Sequence, residues 1–254
     1  MSDQNRFRAI LFDLDGTLLY NNPSSPKTML EYAVELGAPD SNAGRQQNLR
    51  WVHYYWAQST ELLADLEIYD SHSNDFWKYY TQRSLLAFGC SPQQALALAP
   101  EINRKMREEF KPAVWVPEDI PASLEKLSTA GFAMGVVSNR PNPFIDELAQ
   151  HQLQSYFSLN ICAGEVNSWK PDPQIFWHAL EKLQVKPYEA LYVGDNFYAD
   201  VIGARNAGLT PILIDPDELF PDAHCSTIRK ISDLPDLLCN GALDFNPGSN
   251  EKEP

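Results

Sequence analysis

The sequence predicts an α/β fold, a doubly wound and mostly parallel sheet with an all-helical segment inserted after its first strand. Three observations carry that expectation. Short continuous apolar runs recur along the chain, each the length of a buried strand. Between most of them lie segments whose apolar residues repeat with helical spacing, and strands alternating with helices build a sheet covered on both faces. One long stretch, residues 27–110, breaks the rhythm and reads as helix after helix.

The first strand is expected over residues 8–13, where Ala9-Ile10-Leu11-Phe12 runs into Asp13. Prolines then punctuate residues 21–26, the entry to the helical insertion, and residues 111–117, its exit; both read as hinges. Inside the insertion, Leu49, Val52, Tyr55, Trp56 and Ser59 share one helical face, and Phe76, Tyr79, Tyr80, Leu85 and Leu86 another. The aromatics Trp51, Tyr54, Tyr55, Trp56, Phe76, Trp77, Tyr79 and Tyr80 suit helix packing better than a ligand pocket. Further strands are expected at 132–138, 159–163, 190–194 and 210–215, with helices at 122–130, 143–153, 173–183 and 198–207. The expected division is a core of residues 1–20 plus 113–240, a helical cap of residues 21–112, and a flexible tail at 241–254, rich in Gly, Asn, Pro and charge.

With 254 residues the chain can bury a sizeable core. Its formal charge of −14 and pI near 4.7 argue against a nucleic-acid backbone as partner. No apolar run approaches the roughly 20 residues that cross a bilayer, and the apolar start is cut at once by Asp13 and Asp15, so a cytoplasmic protein is expected. The cysteines, Cys90, Cys162, Cys225 and Cys239, form no CxxC pair, which points to free thiols and away from disulfides or zinc. The acidity does not argue against a small phosphorylated metabolite as partner, since salt screens exposed charges beyond about 8 Å, and the choice between monomer and dimer stays open.

In an open α/β sheet, ligands bind where strands end at their carboxyl side. Those ends carry Asp13-Leu14-Asp15-Gly16-Thr17, then Ser138-Asn139-Arg140, then Lys170 in the loop after the third run, then Gly194-Asp195 with Asp200 five residues on. A carboxylate nucleophile that accepts a phosphoryl group, a second carboxylate that moves protons, a lysine point charge and a hard cation are the parts that phosphate-ester cleavage needs. A calcium-loop reading of Asp-x-Asp-Gly fails, because after Thr17 at the fifth position Leu18 and Ser24 stand where Gly and Glu are required. Asp146 and Asp172 read as ordinary helix-start acids.

Taken in order, these motifs resemble the haloacid dehalogenase superfamily, in its phosphatase-like branch with a helical cap. The resemblance spans residues 8–215 and implies a Rossmann-like core. It implies Asp13 as nucleophile, Asp15 as general acid and base, Ser138 as a phosphoryl contact and Lys170 as a charge between that group and Asp13. It further implies Mg²⁺ held by Asp13, the Asp15 backbone carbonyl and Asp195, with Asp200 on the metal through water or holding Lys170. Thr17, Asn139 and Arg140 are the expected substrate contacts. Dehalogenases of the superfamily replace the second aspartate; Asp15 is present, so hydrolysis of a phosphate monoester is expected. A sugar-phosphate mutase uses the same two aspartates and stays open, whereas a non-catalytic binding module is disfavoured because no catalytic position is missing.

Overall fold

The computed structural model describes residues 6–239; the expected tail at 241–254 lies outside them. In chain order, β1 (Ala9–Phe12) leads to a short β2 (Tyr20–Asn22). Five helices follow: α1 (Ser25–Glu35), α2 (Asn42–Trp56), α3 (Thr60–Ile68), α4 (Asn74–Phe88) and α5 (Pro92–Glu108). The chain returns through β3 (Ala113–Trp115), which pairs antiparallel with β2. Alternation then sets in with α6 (Asp119–Thr129), β4 (Ala133–Ser138), α7 (Ile145–Gln150), β5 (Leu159–Cys162), α8 (Ala163–Val166) and α9 (Pro173–Leu183). After β6 (Ala190–Gly194), a π-helical turn over Phe197–Ile202 continues as α10 (Gly203–Ala207), followed by β7 (Thr210–Ile214), β8 (Ser226–Ile228) and α11 (Leu234–Cys239).

Six strands form one sheet in the order β5-β4-β1-β6-β7-β8, every neighbour parallel. β1 sits inside it, with β4 and β6 on either side. Alternate residues of each strand face opposite ways. Ile10 and Phe12 therefore join Leu124 of α6, Val136, Val193 and Ile212 in one core. Ala9 and Leu11 join Val137, Tyr192, and Phe176 and Leu180 of α9 in the other. Strands buried on both faces explain why their sequences are unbroken apolar runs.

The helices α1 to α5 enclose a separate cluster that includes Met29, Leu30, Tyr55, Phe76, Leu85, Phe88 and Ile102. Ser41, Ser59, Ser73 and Ser91 start α2 to α5 by accepting a hydrogen bond from the backbone N–H three residues on, which supplies a partner that the helix start lacks. The rings of Trp51, Tyr55, Trp56 and Tyr80 pack with centroids 4.9–5.5 Å apart. No helix among the described residues is long and apolar enough to cross a membrane, and all four cysteines are free thiols.

The structure departs from expectation in places where the sequence signal is short. The hinges expected at 21–26 and 111–117 overlap the paired strands β2 and β3, each too brief to display an alternating pattern. The edge strand β8 lies in mixed polar sequence and was not expected. The helix expected over 143–153 spans only Ile145–Gln150, since Gln152 adopts a left-handed backbone. The helix expected over 198–207 starts as the wider π turn.

Candidate active site

Asp13 is the first residue beyond β1, and its N–H donates to the Val193 carbonyl at 2.8 Å, which extends the ladder with β6. The residue is buried, 7 % exposed, at the carboxyl edge of the sheet. The chain then turns sharply. Gly16 has φ +85°, and its N–H donates to the Leu19 carbonyl at 2.8 Å. A Cβ there would lie 2.5 Å from Asp195 Oδ2, so both backbone conformation and space demand glycine. Thr17, expected at the substrate, instead directs its hydroxyl to Asp195 Oδ1 at 3.3 Å.

Lys170 is almost wholly buried and uses all three ammonium protons within the protein. Its Nζ donates to Asp13 Oδ1 at 2.5 Å, to Asp200 Oδ1 at 2.7 Å and to the Tyr192 hydroxyl at 2.9 Å. The Tyr192 hydroxyl in turn donates to the Val137 carbonyl at 2.9 Å. Burial works against a charge on Lys170, yet Asp13 and then Asp200 hold its pKa well above the ordinary lysine value. Asn139 fixes the backbone of this lysine: its Nδ2 donates to the Lys170 carbonyl at 2.8 Å, and the Lys170 N–H donates to its Oδ1 at 2.6 Å. Asn139 was expected at the substrate; with both ends of its amide engaged, it serves the lysine.

Asp195 follows β6, and the next turn brings back Asp200. Gly194 leaves the room this needs, since a Cβ there would sit 2.2 Å from Asp200 Oδ2. Asp200 has both oxygens engaged, one by Lys170 and one by the Asn196 N–H at 2.9 Å, so its observed task is to anchor the lysine. Asn196 also accepts from the N–H groups of Tyr198 and Ala199 and donates to the His53 carbonyl of α2 at 2.9 Å. Around that link, Tyr54 packs on Tyr198 and His53 on Phe220. Thus α2 lies directly over the loop that carries Asp195.

Oxygen atoms of Asp13, Asp195 and Asp200 lie within 4.8 Å of one another. Three carboxylates against one ammonium leave excess negative charge in a poorly hydrated space. Burial pushes Asp13 up to about 7 against the pull of Lys170, with Asp200 adding to the rise. Asp195 is raised well above the ordinary carboxylate range by desolvation, then by Asp13 and Asp200. An all-oxygen donor set short of positive charge fits a hard divalent cation.

At the mouth, Asp15 is far more open, its side chain 53 % exposed. Arg140, expected at the substrate, grips both of its oxygens: Nε donates to Oδ2 at 2.8 Å and Nη2 to Oδ1 at 2.6 Å. Its remaining Nη1 donates to Glu147 of α7. Ser138, buried at the end of β4, accepts from the Arg140 N–H at 3.3 Å.

Residues 10–214 match the family described as haloacid dehalogenase-like hydrolase. The chain belongs to that family. Among curated relatives of this hydrolase, a phosphoserine phosphatase of Thermus thermophilus is 28% identical, over 93% of this chain and 100% of its own. An (S)-2-haloacid dehalogenase of a Pseudomonas species is 25% identical, over 91% and 96%. Of solved structures, a HAD phosphatase from Thermococcus onnurineus superposes with a TM-score of 0.53 at 26% identity, over 94% of this hydrolase and 100% of that chain.

Three residues of the hydrolase site escaped sequence reasoning. Tyr192 lies in the middle of an apolar run and counts there as one more core aromatic. Asn196 had a usable signal, since Asn directly before a helical turn is a preferred cap. Glu147 looks like an ordinary first-turn acid of α7.

Proposed function

We propose that the hydrolase cleaves phosphate monoesters of small molecules through a covalent phosphoryl-aspartate on Asp13, with Mg²⁺ as cofactor. One observation carries the reading: a buried aspartate anchored by Lys170 at the end of the central strand, followed two residues later by Asp15 at the mouth. The phosphatases among its relatives support the same reaction class. A dehalogenase is also among the relatives, but a halide leaves without a proton and gives Asp15 nothing to do.

In this reaction Asp13 Oδ forms a bond to phosphorus as the bond to the leaving oxygen breaks. Asp15, as the protonated acid, gives its proton to that oxygen, and the alcohol departs. Water then attacks phosphorus, Asp15 takes a proton from it, and Asp13 is released with inorganic phosphate. Lys170 stays charged throughout and offsets the negative charge that Asp13 and the phosphoryl oxygens share, while Ser138 offers a hydroxyl at the same edge. Mg²⁺, when bound by Asp13, the Asp15 carbonyl and Asp195 with Asp200 alongside, supplies charge stabilisation of the phosphoryl oxygens. Residues 21–112 act as a cap that excludes water from the mouth.

The test is phosphate release from p-nitrophenyl phosphate and a panel of phosphorylated metabolites. EDTA is expected to stop turnover and Mg²⁺ to restore it. Asp13→Asn is expected to lower turnover by a factor on the order of 10⁴ or more with the fold intact. Wild-type activity in that variant would overturn the covalent step.

A further inference from the structure

The Asp15–Arg140–Glu147 bridge asks for an explanation that substrate binding alone does not provide. Arg140 engages both oxygens of Asp15, the residue that must hand a proton to the leaving group. A guanidinium is always charged and has donors only. Both Asp15 oxygens are therefore already occupied by N–H donors. The leaving oxygen of a substrate and the Arg140 fork compete for the same two atoms. The third Arg140 donor group is bound to Glu147, so the guanidinium keeps a counter-charge if Asp15 departs. Its backbone stays pinned, with the N–H on Ser138 Oγ and the carbonyl accepting from the Gly164 N–H at 3.3 Å. Only the side-chain contact has to open.

We infer that Arg140 is a positioning residue that parks Asp15 out of line in the resting enzyme, and that Glu147 holds the guanidinium when Asp15 swings in to donate its proton. The inference rests on the general-acid role of Asp15 proposed above. It assigns Arg140 away from the substrate and gives Glu147, outside every motif of the site, a part in the reaction. In the first step the proton moves from the Asp15 carboxyl to the bridging oxygen as that oxygen leaves phosphorus, Asp15 regains a proton from the attacking water in the second, and it meets the fork again only between turnovers.

The test compares kcat/KM for glycerol 2-phosphate, whose alkoxide needs a proton to leave, with kcat/KM for p-nitrophenyl phosphate, whose phenolate does not. Both values report events only as far as formation of the phosphoryl-aspartate, so the later role of Asp15 as base does not enter. Arg140→Gln is expected to raise the alkyl-to-aryl ratio about fivefold, the scale of a partly exposed bidentate pair. Glu147→Gln is expected to lower it, since Arg140 then has only Asp15 to hold. Opposite changes from two residues are not what a merely structural role produces, and Glu147→Gln, nearly isosteric, stays informative should the arginine variant fold poorly. A ratio that falls in Arg140→Gln, or one unmoved in both variants, overturns the inference. Asp15→Asn serves as the control: it must collapse the ratio, and an unchanged ratio there removes the general-acid reading itself.

Discussion

Asn139 holds Lys170 by both sides of its peptide, donating to the carbonyl at 2.8 Å and accepting from the N–H at 2.6 Å. The clamp joins the end of β4 to a loop thirty-one residues further on, and so ties the lysine to the strand next to the nucleophile.

Replacing Asn139 with Ala removes the donor and the acceptor together and leaves two backbone groups in a poorly hydrated place. A stability loss of about 1–3 kcal/mol follows, measurable by urea unfolding. The larger expected effect is on kcat, with KM nearly unchanged, because Lys170 still exists but no longer points reliably at Asp13. A variant with normal kcat would mean that packing alone places the lysine.

Lys170→Met removes the sole cation among Asp13, Asp200 and Tyr192. Breaking a buried pair from one side costs about 3–5 kcal/mol, so the midpoint of unfolding at pH 8 is expected to drop sharply. Lys170 is what pulls the Asp13 carboxyl down towards 7; without it that carboxyl titrates higher still. A folded-state carboxyl pKa above the unfolded one costs stability as pH rises, so the deficit of the variant is expected to shrink as the solution is acidified. A deficit independent of pH would place the loss in packing.

Metal binding carries a proton signature. Asp13 titrates at about 7 in the metal-free site, and Asp195 is also raised. A cation takes the carboxylate form, so Mg²⁺ uptake near neutral pH must release protons. Calorimetry in two buffers of different ionisation enthalpy is expected to give different apparent heats, with affinity weakening as pH falls below about 7. Identical heats in both buffers would show carboxylates already ionised before the metal arrives.

Gly16→Ala combines a left-handed backbone with a Cβ that would press on Asp195 at 2.5 Å. The strain alone is worth about 1 kcal/mol or more. The displaced carboxylate is expected to weaken Mg²⁺ binding at least tenfold while the sheet persists, as read by metal titration beside circular dichroism. Unaltered metal affinity would remove Asp195 from the ligand set.

The sheet was legible in the sequence because a strand buried on both faces has to be an apolar run, and the acids that end those runs mark its carboxyl edge. What could not be read is direction. Thr17, Asn139 and Arg140 all stand beside site motifs and were expected to face the substrate; each is bonded instead to another site residue, Asp195, Lys170 and Asp15 respectively. Neighbourhood along the chain locates a side chain to within its own length, whereas its partner is chosen by segments more than thirty or more than a hundred residues away. Tyr192 went unseen for a related reason: its ring belongs to the core and only its hydroxyl belongs to the site.

The short pairing of Tyr20–Asn22 with Ala113–Trp115 has a bearing on how such a chain diversifies. It brings the two ends of residues 23–112 side by side, so the sheet receives that stretch as a single loop closed at its base. The entropy of closing a loop grows only logarithmically with its length. Helices can be gained, lost or traded beyond this clasp while β1 keeps its register with β4 and β6, which frees ligand preference to change over generations on a constant catalytic floor.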